Sequence, residues 1–260
     1  MKKLISMLLL LTLIVSLASC GKSEANQLIV ATEPGFAPYE YMKGNDIVGI
    51  DMDISKAIAD KLGKELVVKE MDFNGALFAV QQGKVDMVAA GVSVTEERKL
   101  NMDFSTEYVD STEVVVVNKS TPAVTASYNA AEEAYNIDLE GKLVGVQQGN
   151  LADFWVEENA NAGEIRRYTK FSQAALELKN NKLDCIVMDL YPAMELVKSN
   201  EDLEILSVDG EMAVLFEDKY AIAVQKGNEE LLKSINEVID TLIKEGKIEE
   251  FTKNHTTQAE

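Results

Sequence analysis

Apolar and polar stretches alternate along the chain in a way that predicts strands and helices in turn. Short apolar runs bounded by turn residues are typical of buried strands, whereas apolar residues spaced three and four apart are typical of helices. Strands are predicted at residues 28–31, 66–68, 85–90, 143–146, 185–188 and 203–206. Helices are predicted at residues 53–62 and 74–82, near Asn150, Ser172 and Pro192, and at residues 231–243. This alternation predicts an α/β protein with mostly parallel sheets.

A weak internal repeat relates two segments of this pattern. Residues 73–86 and 171–184 each begin with Phe, continue through a helix-like stretch and end at an Asp that precedes an apolar run. One interpretation is two lobes of similar architecture, and the other is the general likeness of helix–turn–strand units. Under the first interpretation, Gly91 and Asp189 occupy equivalent positions just past a strand, at the edge where open α/β sheets bind ligands.

The first residues have the pattern of a secretory leader. Two lysines precede an apolar run over residues 4–18, which is too short to span a bilayer comfortably. The run ends in Leu-Ala-Ser-Cys-Gly, which is typical of a bacterial lipobox with acyl chains such as palmitate on Cys20. We therefore expect a signal peptide at residues 1–19 and a lipidated cysteine with a polar tether at residues 20–27. The alternative is an ordinary signal peptide with a chance cysteine.

Composition narrows the possible partners. The chain carries 44 acidic and 25 basic residues, a net charge of −19, which argues against a nucleic-acid partner because phosphates would be repelled. No later segment approaches the ~20 apolar residues of a transmembrane helix, so the lipid would be the only anchor. We expect an extracytoplasmic monomer held by that lipid at the outer face of the cytoplasmic membrane or in the periplasm.

Histidine and cysteine usage argues against enzymatic chemistry. The only histidine, His255, lies in a polar tail at residues 253–260 that is predicted to be disordered. Ser-His and Cys-His nucleophiles and histidine-rich metal sites therefore have no candidate. No Gly-rich phosphate loop is present either, so we expect no cofactor and no metal. Cys185, flanked by apolar residues, is interpreted as a small core residue on a strand rather than a reactive thiol.

Four stretches at predicted strand ends carry candidate binding residues. A turn-rich loop follows the first strand, and a later strand passes into a short helix that Thr95 caps. Another strand leads into a helix whose free N–H groups favour an anion, and an Asp directly follows an apolar strand. The candidates in these stretches are Glu33, Phe36, Ala90, Gly91, Ser93, Arg98, Gln147, Asn150 and Asp189. At the rims of two lobes, Arg98 and Asp189 would bind opposite ends of a zwitterion.

The order of these segments resembles the amino-acid-binding proteins of bacterial ABC importers, the family-3 extracellular solute-binding proteins. The matching motifs are Phe36-Ala37-Pro38-Tyr39, Val48-Gly49-Ile50-Asp51-Met52-Asp53, Gly83-Lys84-Val85-Asp86, Thr95-Glu96-Glu97-Arg98, Asp103-Phe104-Ser105 and Asp189 before Pro192-Ala193. The resemblance covers the chain from Leu28 to about Phe251. It implies a two-lobed type II periplasmic-binding-protein fold with a two-crossing hinge near Asp110 and Asp218. The implied divisions are lobe 1 at residues 28–109 and 221–254, lobe 2 at residues 112–217, and a tail at residues 255–260.

The resemblance also implies how a ligand carboxylate is bound. Arg98 would bind the α-carboxylate with two parallel hydrogen bonds, and the backbone N–H groups of Asn150 and Leu151 would reach the same group. Asn150 departs from the family pattern, since members commonly carry Thr or Ser at this position. The departure puts the side-chain contact in doubt while leaving the backbone contacts possible.

The rest of the ligand has implied partners as well. Asp189 would bind the α-ammonium group, helped by the carbonyl region of Ala90 and the hydroxyl of Ser93. Phe36 and Phe73 lie where aromatic rings of the family usually enclose the ligand side chain. These assignments come from the resemblance rather than from spacing or composition.

The resemblance implies a receptor that captures a free L-amino acid and delivers it to an ABC permease in the membrane. Glu33 would meet a cationic or amide side chain, which favours polar or basic ligands. One alternative is an enzyme on the same fold, such as a cyclohexadienyl-type dehydratase, although Asp189 paired with Arg98 favours ligand capture. Another is an extracellular amino-acid sensor domain, which usually continues into a membrane helix and a signalling domain that this sequence does not contain.

Overall fold

A computed structural model describes residues 26–257, which form eight α-helices and two principal β-sheets. The helices are α1 (Ile50–Leu62), α2 (Phe73–Gln81), α3 (Glu96–Lys99), α4 (Leu151–Asn159), α5 (Phe171–Lys179), α6 (Leu190–Lys198), α7 (Glu229–Lys244) and α8 (Lys247–Thr257). The strands are β1 (Gln27–Thr32), β2 (Gly35–Phe36), β3 (Glu40–Lys43), β4 (Asp46–Val48), β5 (Glu65–Glu70), β6 (Met87–Val88), β7 (Met102–Phe104), β8 (Val109–Asn118), β9 (Ala126–Asn129), β10 (Ala134–Ile137), β11 (Leu143–Gln147), β12 (Glu164–Tyr168), β13 (Cys185–Asp189), β14 (Leu203–Ile205), β15 (Ser207–Val208), β16 (Glu211–Met212), β17 (Val214–Tyr220) and β18 (Ala223–Gln225). The predicted leader, Cys20 and most of the tether lie outside the described residues.

The first sheet has the strand order β5-β1-β6-β18-β7. Strands β5, β1 and β6 are parallel, because the helices α1 and α2 return the chain to the same edge between them. Strand β18 runs antiparallel between β6 and β7. Leu28, Val30 and Ala31 of β1 are fully buried, as expected of a strand covered by helices on both faces.

The second sheet has the order β12-β11-β13-β8-β14, and β17 also pairs with β8. Strands β12, β11 and β13 are parallel, whereas β8 runs antiparallel to β13, β14 and β17. The prediction of mostly parallel sheets is therefore wrong, since each sheet joins three parallel strands to antiparallel neighbours. Strands β8 and β18, which run against their neighbours, enter directly from the other sheet without the helical crossover that parallel pairing requires.

The repeated segments form matching units in the two sheets. Helices α2 and α5 each have nine residues, and each is followed by a turn that ends at an Asp. The Asp86 carboxylate accepts a 2.7 Å hydrogen bond from the Ile29 N–H at the start of β1. The Asp184 carboxylate accepts a 2.8 Å hydrogen bond from the Leu143 N–H at the start of β11. This shared contact favours the two-unit interpretation over general likeness.

Two long strands connect the sheets. Strands β8 and β17 pair antiparallel from Val109 opposite Tyr220 to Val114 opposite Val214, with a bulge before Phe216. Beyond this pairing, Tyr220 forms a bridge to Ser93 near the first sheet. A cleft thus lies between the two sheets, and the carboxyl ends of β1 and β6 face those of β11 and β13 across it. Strands β8 and β17 close this cleft on one side.

The C-terminal segment differs from its prediction. Residues 253–257 are not disordered, because they belong to helix α8. His255 Nε2 lies 2.9 Å from Asp53 Oδ2, and His255 Nδ1 lies 3.1 Å from the Tyr41 hydroxyl. These polar contacts to the first sheet's helix and hairpin hold a segment whose sequence lacks the apolar stripe that would have predicted a packed helix.

The core contains the second cysteine and carries no reactive thiol. Cys185 lies in β13, is fully buried and forms no disulfide, as its apolar neighbours predict. Burial raises the pKa of its thiol. Across residues 26–257, none of the helices combines the length and the apolar character needed to cross a bilayer.

Candidate functional site

The predicted binding residues from both sheets meet in the cleft. Gln147 Nε2, at the end of β11, donates a 3.1 Å hydrogen bond to Glu33 Oε2, just after β1. Arg98 Nη2 donates a 2.9 Å hydrogen bond to the Gly149 carbonyl, again from the first sheet's side to the second. The ring of Phe36 stacks on that of Phe171 at 6.2 Å. The two sides of the cleft are therefore in direct contact.

Arg98 is buried at one end of this cleft. It lies in α3, whose start is capped by the Thr95 hydroxyl accepting from the Arg98 N–H at 3.1 Å. Its Nη1 donates to the Ser93 carbonyl at 2.6 Å, and its guanidinium carbon lies 5.4 Å from the centre of the Phe73 ring. Burial lowers the pKa of Arg98 to about 10, although the charges of nearby carboxylates raise it. The group stays cationic at neutral pH with N–H donors to spare.

The start of α4 faces Arg98. Asn150 caps this helix, its Oδ1 accepting from the Asp153 N–H at 2.9 Å. Asp153 Oδ2 accepts from the Gly149 N–H at 2.9 Å, and Arg167 Nε holds the other oxygen at 2.8 Å. Leu151, whose backbone N–H is among the free donors of this first turn, is half-buried. Free N–H groups and the helix dipole make this position suitable for an anion such as a carboxylate.

Asp189 lies at the end of β13, buried and without a helix-capping hydrogen bond. Its Oδ1 accepts hydrogen bonds from the Ser111 hydroxyl at 3.1 Å and from the Tyr220 hydroxyl. Burial raises the pKa of Asp189, and the charge of Asp218 raises it further. A cation beside this carboxyl would relieve both effects, which makes the position suitable for an ammonium group.

Glu33 supplies a second buried carboxyl away from the Arg98 end. It is 2% exposed, and its Oε1 receives no hydrogen bond from residues 26–257, although Lys170 Nζ lies 3.7 Å away. Burial raises the pKa of Glu33, while the Gln147 hydrogen bond and the Lys170 charge lower it. A carboxylate oxygen that receives no hydrogen bond at this depth is suited to a donor that arrives with a ligand.

Gly91 and its neighbours shape the wall of the cleft. The Gly91 N–H donates to Asp51 Oδ2 at 2.9 Å, and its φ of +54° lies in the left-handed region. A Cβ atom there would lie 2.6 Å from the Phe36 ring, so only glycine allows this approach. Ala90 is buried within the apolar cluster under α2, where its side chain serves packing.

The structure brings together most but not all of the predicted residues. Arg98, Ser93 and Phe73 form one contacting group, and Glu33 with Gln147 forms another. Phe36 and Phe73 are both buried but contact different groups. The Phe36 ring stacks on Phe171 and lies tilted against Tyr220, whereas the Phe73 ring contacts the Arg98 guanidinium. Their predicted enclosure of a ligand side chain stays a prediction.

Several cleft residues were not among the binding residues predicted from the sequence. These are Asp51, Tyr108, Ser111, Glu113, Gly149, Lys170, Phe171, Asp218 and Tyr220. Phe171 was within reach, because the internal repeat equates it with Phe73. The carboxylates were not, because they are indistinguishable in sequence from the many acidic residues on the surface. Within residues 26–257 no cluster of three or more histidine, cysteine or acidic side chains has metal-binding geometry.

Known proteins share this architecture along nearly the whole chain. The chain is 35% identical to a P235GK mutant of ArgBP from T. maritima, whose crystal structure matches with a TM-score of 0.79 over 90% of this chain and 96% of that one. It is 31% identical to the L-arginine-bound AbpA of Streptococcus pneumoniae, with a TM-score of 0.78 over 91% and 97% of the two chains. The predicted two-lobed fold is thereby confirmed.

Sequence comparison gives the same result. The Arginine-binding extracellular protein ArtP of Bacillus subtilis is 29% identical over 99% of both chains. The L-cystine-binding protein TcyJ of Escherichia coli is 29% identical over 87% of this chain and 81% of its own. These relatives are named as binding proteins rather than enzymes, which is consistent with a solute-binding role. The profile of family 3 matches residues 28–258, and the chain belongs to the bacterial extracellular solute-binding proteins, family 3.

Proposed function

We propose that this protein is the extracytoplasmic receptor of an ABC importer for a basic amino acid, L-arginine, which it delivers to a membrane permease. The lobes would be residues 28–109 with 221–254 and residues 112–217, closing by a hinge near Asp110 and Asp218. The pairing of β8 with β17 at these positions supports a hinge there.

The excess of buried acidic groups supports a ligand with cationic groups. Among the described residues, the buried acids are Glu33, Glu40, Asp51, Glu113, Asp153 and Asp189, and the buried base is Arg98. Even with Arg167 beside Asp153 and Lys170 beside Glu33, the acids outnumber the cations around the cleft, and buried charges need partners. L-Arginine supplies two cationic groups to the acids and one carboxylate to Arg98. A dehydratase substrate with two carboxylates and no cation would enlarge this excess of acidic groups.

The two ends of the ligand have separate partners in this proposal. The α-carboxylate is bound by Arg98 and by the N–H groups at the start of α4, and the α-ammonium is bound by Asp189. The guanidinium group lies against Glu33, whose free Oε1 accepts from it. Phe36 and Phe73 contact the intervening methylene groups. The names of the arginine-binding relatives are consistent with this ligand.

A comparison of L-arginine with L-citrulline tests the proposal. Citrulline has nearly the same shape but a neutral urea group, so it loses the charged contact to Glu33. A thermal-shift screen of the twenty amino acids should rank L-arginine first, and calorimetry should show citrulline binding at least about tenfold more weakly, ~1.4 kcal/mol. Glu33→Gln should remove most of that difference, whereas the exposed Glu70→Gln should keep it. Equal binding of arginine and citrulline by the wild type would exclude a cationic side-chain site.

The anchor is a separate part of the proposal. The lipobox pattern ending at Cys20 supports a diacylglyceryl-modified cysteine as the first residue of the mature chain. Mass spectrometry of protein extracted from membranes should give the mass of that adduct on an N-terminal cysteine. An intact Met1, or an unmodified Cys20, would exclude lipidation.

A further inference from the structure

Three carboxyl groups lie on one face of the second sheet, at the wall of the cleft. Glu113 in β8 is directly opposite Asp189 in β13, and Asp218 in β17 is directly opposite Ser111, two residues before Glu113. Side chains of directly opposed residues, and of residues two apart on one strand, point to the same face of a sheet. The register therefore groups the three carboxyls around Ser111.

Two of these carboxyls have no hydrogen-bond partner. Glu113 is 1% exposed, and neither of its oxygens receives a hydrogen bond from the described residues. The oxygens of the half-buried Asp218 receive none at hydrogen-bonding distance either, although the Ser93 and Ser111 hydroxyls lie close enough to lower its pKa. Asp189 is held through Oδ1 by Ser111 and Tyr220. A buried carboxyl without a hydrogen-bond donor destabilises the fold, and Glu113 has no donor among residues 26–257.

An independent group on another element is also without a partner. Asn150 is 6% exposed and uses Oδ1 to cap α4, whereas its Nδ2 donors have no partner among the described residues. The preceding Gly149 carbonyl accepts from Arg98, so this helix start lies at the same end of the cleft as Asp189 and Asp218, whose charges act on Arg98. Unpaired donors and unpaired acceptors at one end indicate a ligand with both kinds of group.

We propose that Glu113 and Asp218 bind the ammonium group of the ligand together with Asp189, as specificity residues of the proposed amino-acid site, on which this inference rests. An ammonium group has three N–H donors in a compact arrangement, and the pocket offers one carboxyl for each. A hydroxyl at the same place would donate to only one of the three carboxyls and would bring no positive charge.

Burial and mutual repulsion disfavour the charged forms of these carboxyls. Burial raises the pKa of Glu113 well above its ordinary value, and the charges of Asp189 and Asp218 raise it further. For Asp218, burial likewise raises the pKa, while the Ser93 and Ser111 hydroxyls and the Arg98 charge lower it. Arg98 and the ligand are thus the cations that face this group, with the Tyr220 phenol as its neutral neighbour.

The experiment measures binding and stability on the same variants. Calorimetry gives the affinities of wild type, Glu113→Gln and Asp218→Asn for L-arginine and for argininic acid, its α-hydroxy analogue. Glu217→Gln is the matched control, because this exposed residue precedes Asp218 on the same strand. Each cleft variant should lose about tenfold or more in affinity for L-arginine, and less than about threefold for argininic acid. The control should match the wild type.

Melting temperatures of the ligand-free proteins separate a binding role from a structural one. Because each cleft variant replaces a carboxyl that receives no hydrogen bond with a neutral amide of similar shape, its melting temperature at about pH 8 should rise above that of the wild type. Equal loss of affinity for both ligands, unchanged affinity, or a lower melting temperature, including failure to fold, would overturn the inference. Failure of the wild type itself to bind L-arginine would overturn the proposed function and this inference with it, and is seen before any variant is measured.

Discussion

Replacing Arg98 should abolish amino-acid binding without unfolding the protein. The guanidinium group uses one N–H for the Ser93 carbonyl and one for the Gly149 carbonyl, which leaves three for a ligand carboxylate. Two charge-assisted hydrogen bonds contribute roughly 1.5–3 kcal/mol each, so Arg98→Ala should weaken binding by about 3–6 kcal/mol. That corresponds to a loss of roughly a hundredfold to ten-thousandfold. Arg98→Lys should lose less than Ala but still fail to restore the paired geometry.

The assay is calorimetric titration with L-arginine, accompanied by thermal melts to verify folding. Arg166→Ala is the matched control, since Arg166 is a half-buried arginine at the edge of the second sheet that pairs with Glu164. Its removal should leave the affinity unchanged. If Arg98→Ala binds within about threefold of the wild type (~0.7 kcal/mol), the carboxylate is bound elsewhere and the site described above is wrong.

Three further outcomes follow from the cleft. The wild type should bind an amino acid about tenfold or more tightly than its α-hydroxy analogue, and Asp189→Asn should reduce this preference. Titration of both ligands gives the ratio of affinities, and an unchanged ratio in the variant would contradict the prediction. Gly91→Ala should lower the free energy of unfolding by at least ~1 kcal/mol and weaken binding, because its Cβ meets the Phe36 ring; denaturant melts and calorimetry would contradict this if both stayed unchanged. Burial raises the pKa of Asp51 from 3.8 to about 6, against hydrogen bonds from Tyr108 and Gly91. Its contribution is therefore full below about pH 4 and is lost as pH rises through about 6; melts at several pH values should show this slope, and Asp51→Asn should flatten it.

The helices and strands were largely predictable because their signals are local. The apolar stripe of α7 and the glycine that follows α1 fix those helices from sequence alone. The equivalence of Asp86 and Asp184 was also visible, as an internal repeat, and it located Asp189 at a strand end. Each of these signals comes from residues that are close together in the sequence, and the local preference agrees with the final fold.

Contacts between distant segments carry no such local signal. The antiparallel course of β8 and β17 follows from the chain returning between sheets, which apolar periodicity does not encode. Glu113 was hidden for a similar reason, since a buried acid and a solvated acid look alike in sequence. Helix α8 escaped prediction because its sequence is polar, and the Asp53 and Tyr41 contacts of His255 depend on the finished fold.

The position of strand β18 in the chain determines which of the two sheets can finish folding first. It fills the first sheet between β6 and β7, although the whole of the second sheet lies between β7 and β18 in the chain. The second sheet uses only a continuous stretch from β8 to β17, so its closure involves shorter loops and should be faster. The first sheet, by contrast, stays open until the last part of the chain arrives. A refolding intermediate should therefore protect the amides of β11 and β13 before those of β6, and a chain truncated after Tyr220 should keep the second sheet while losing the first.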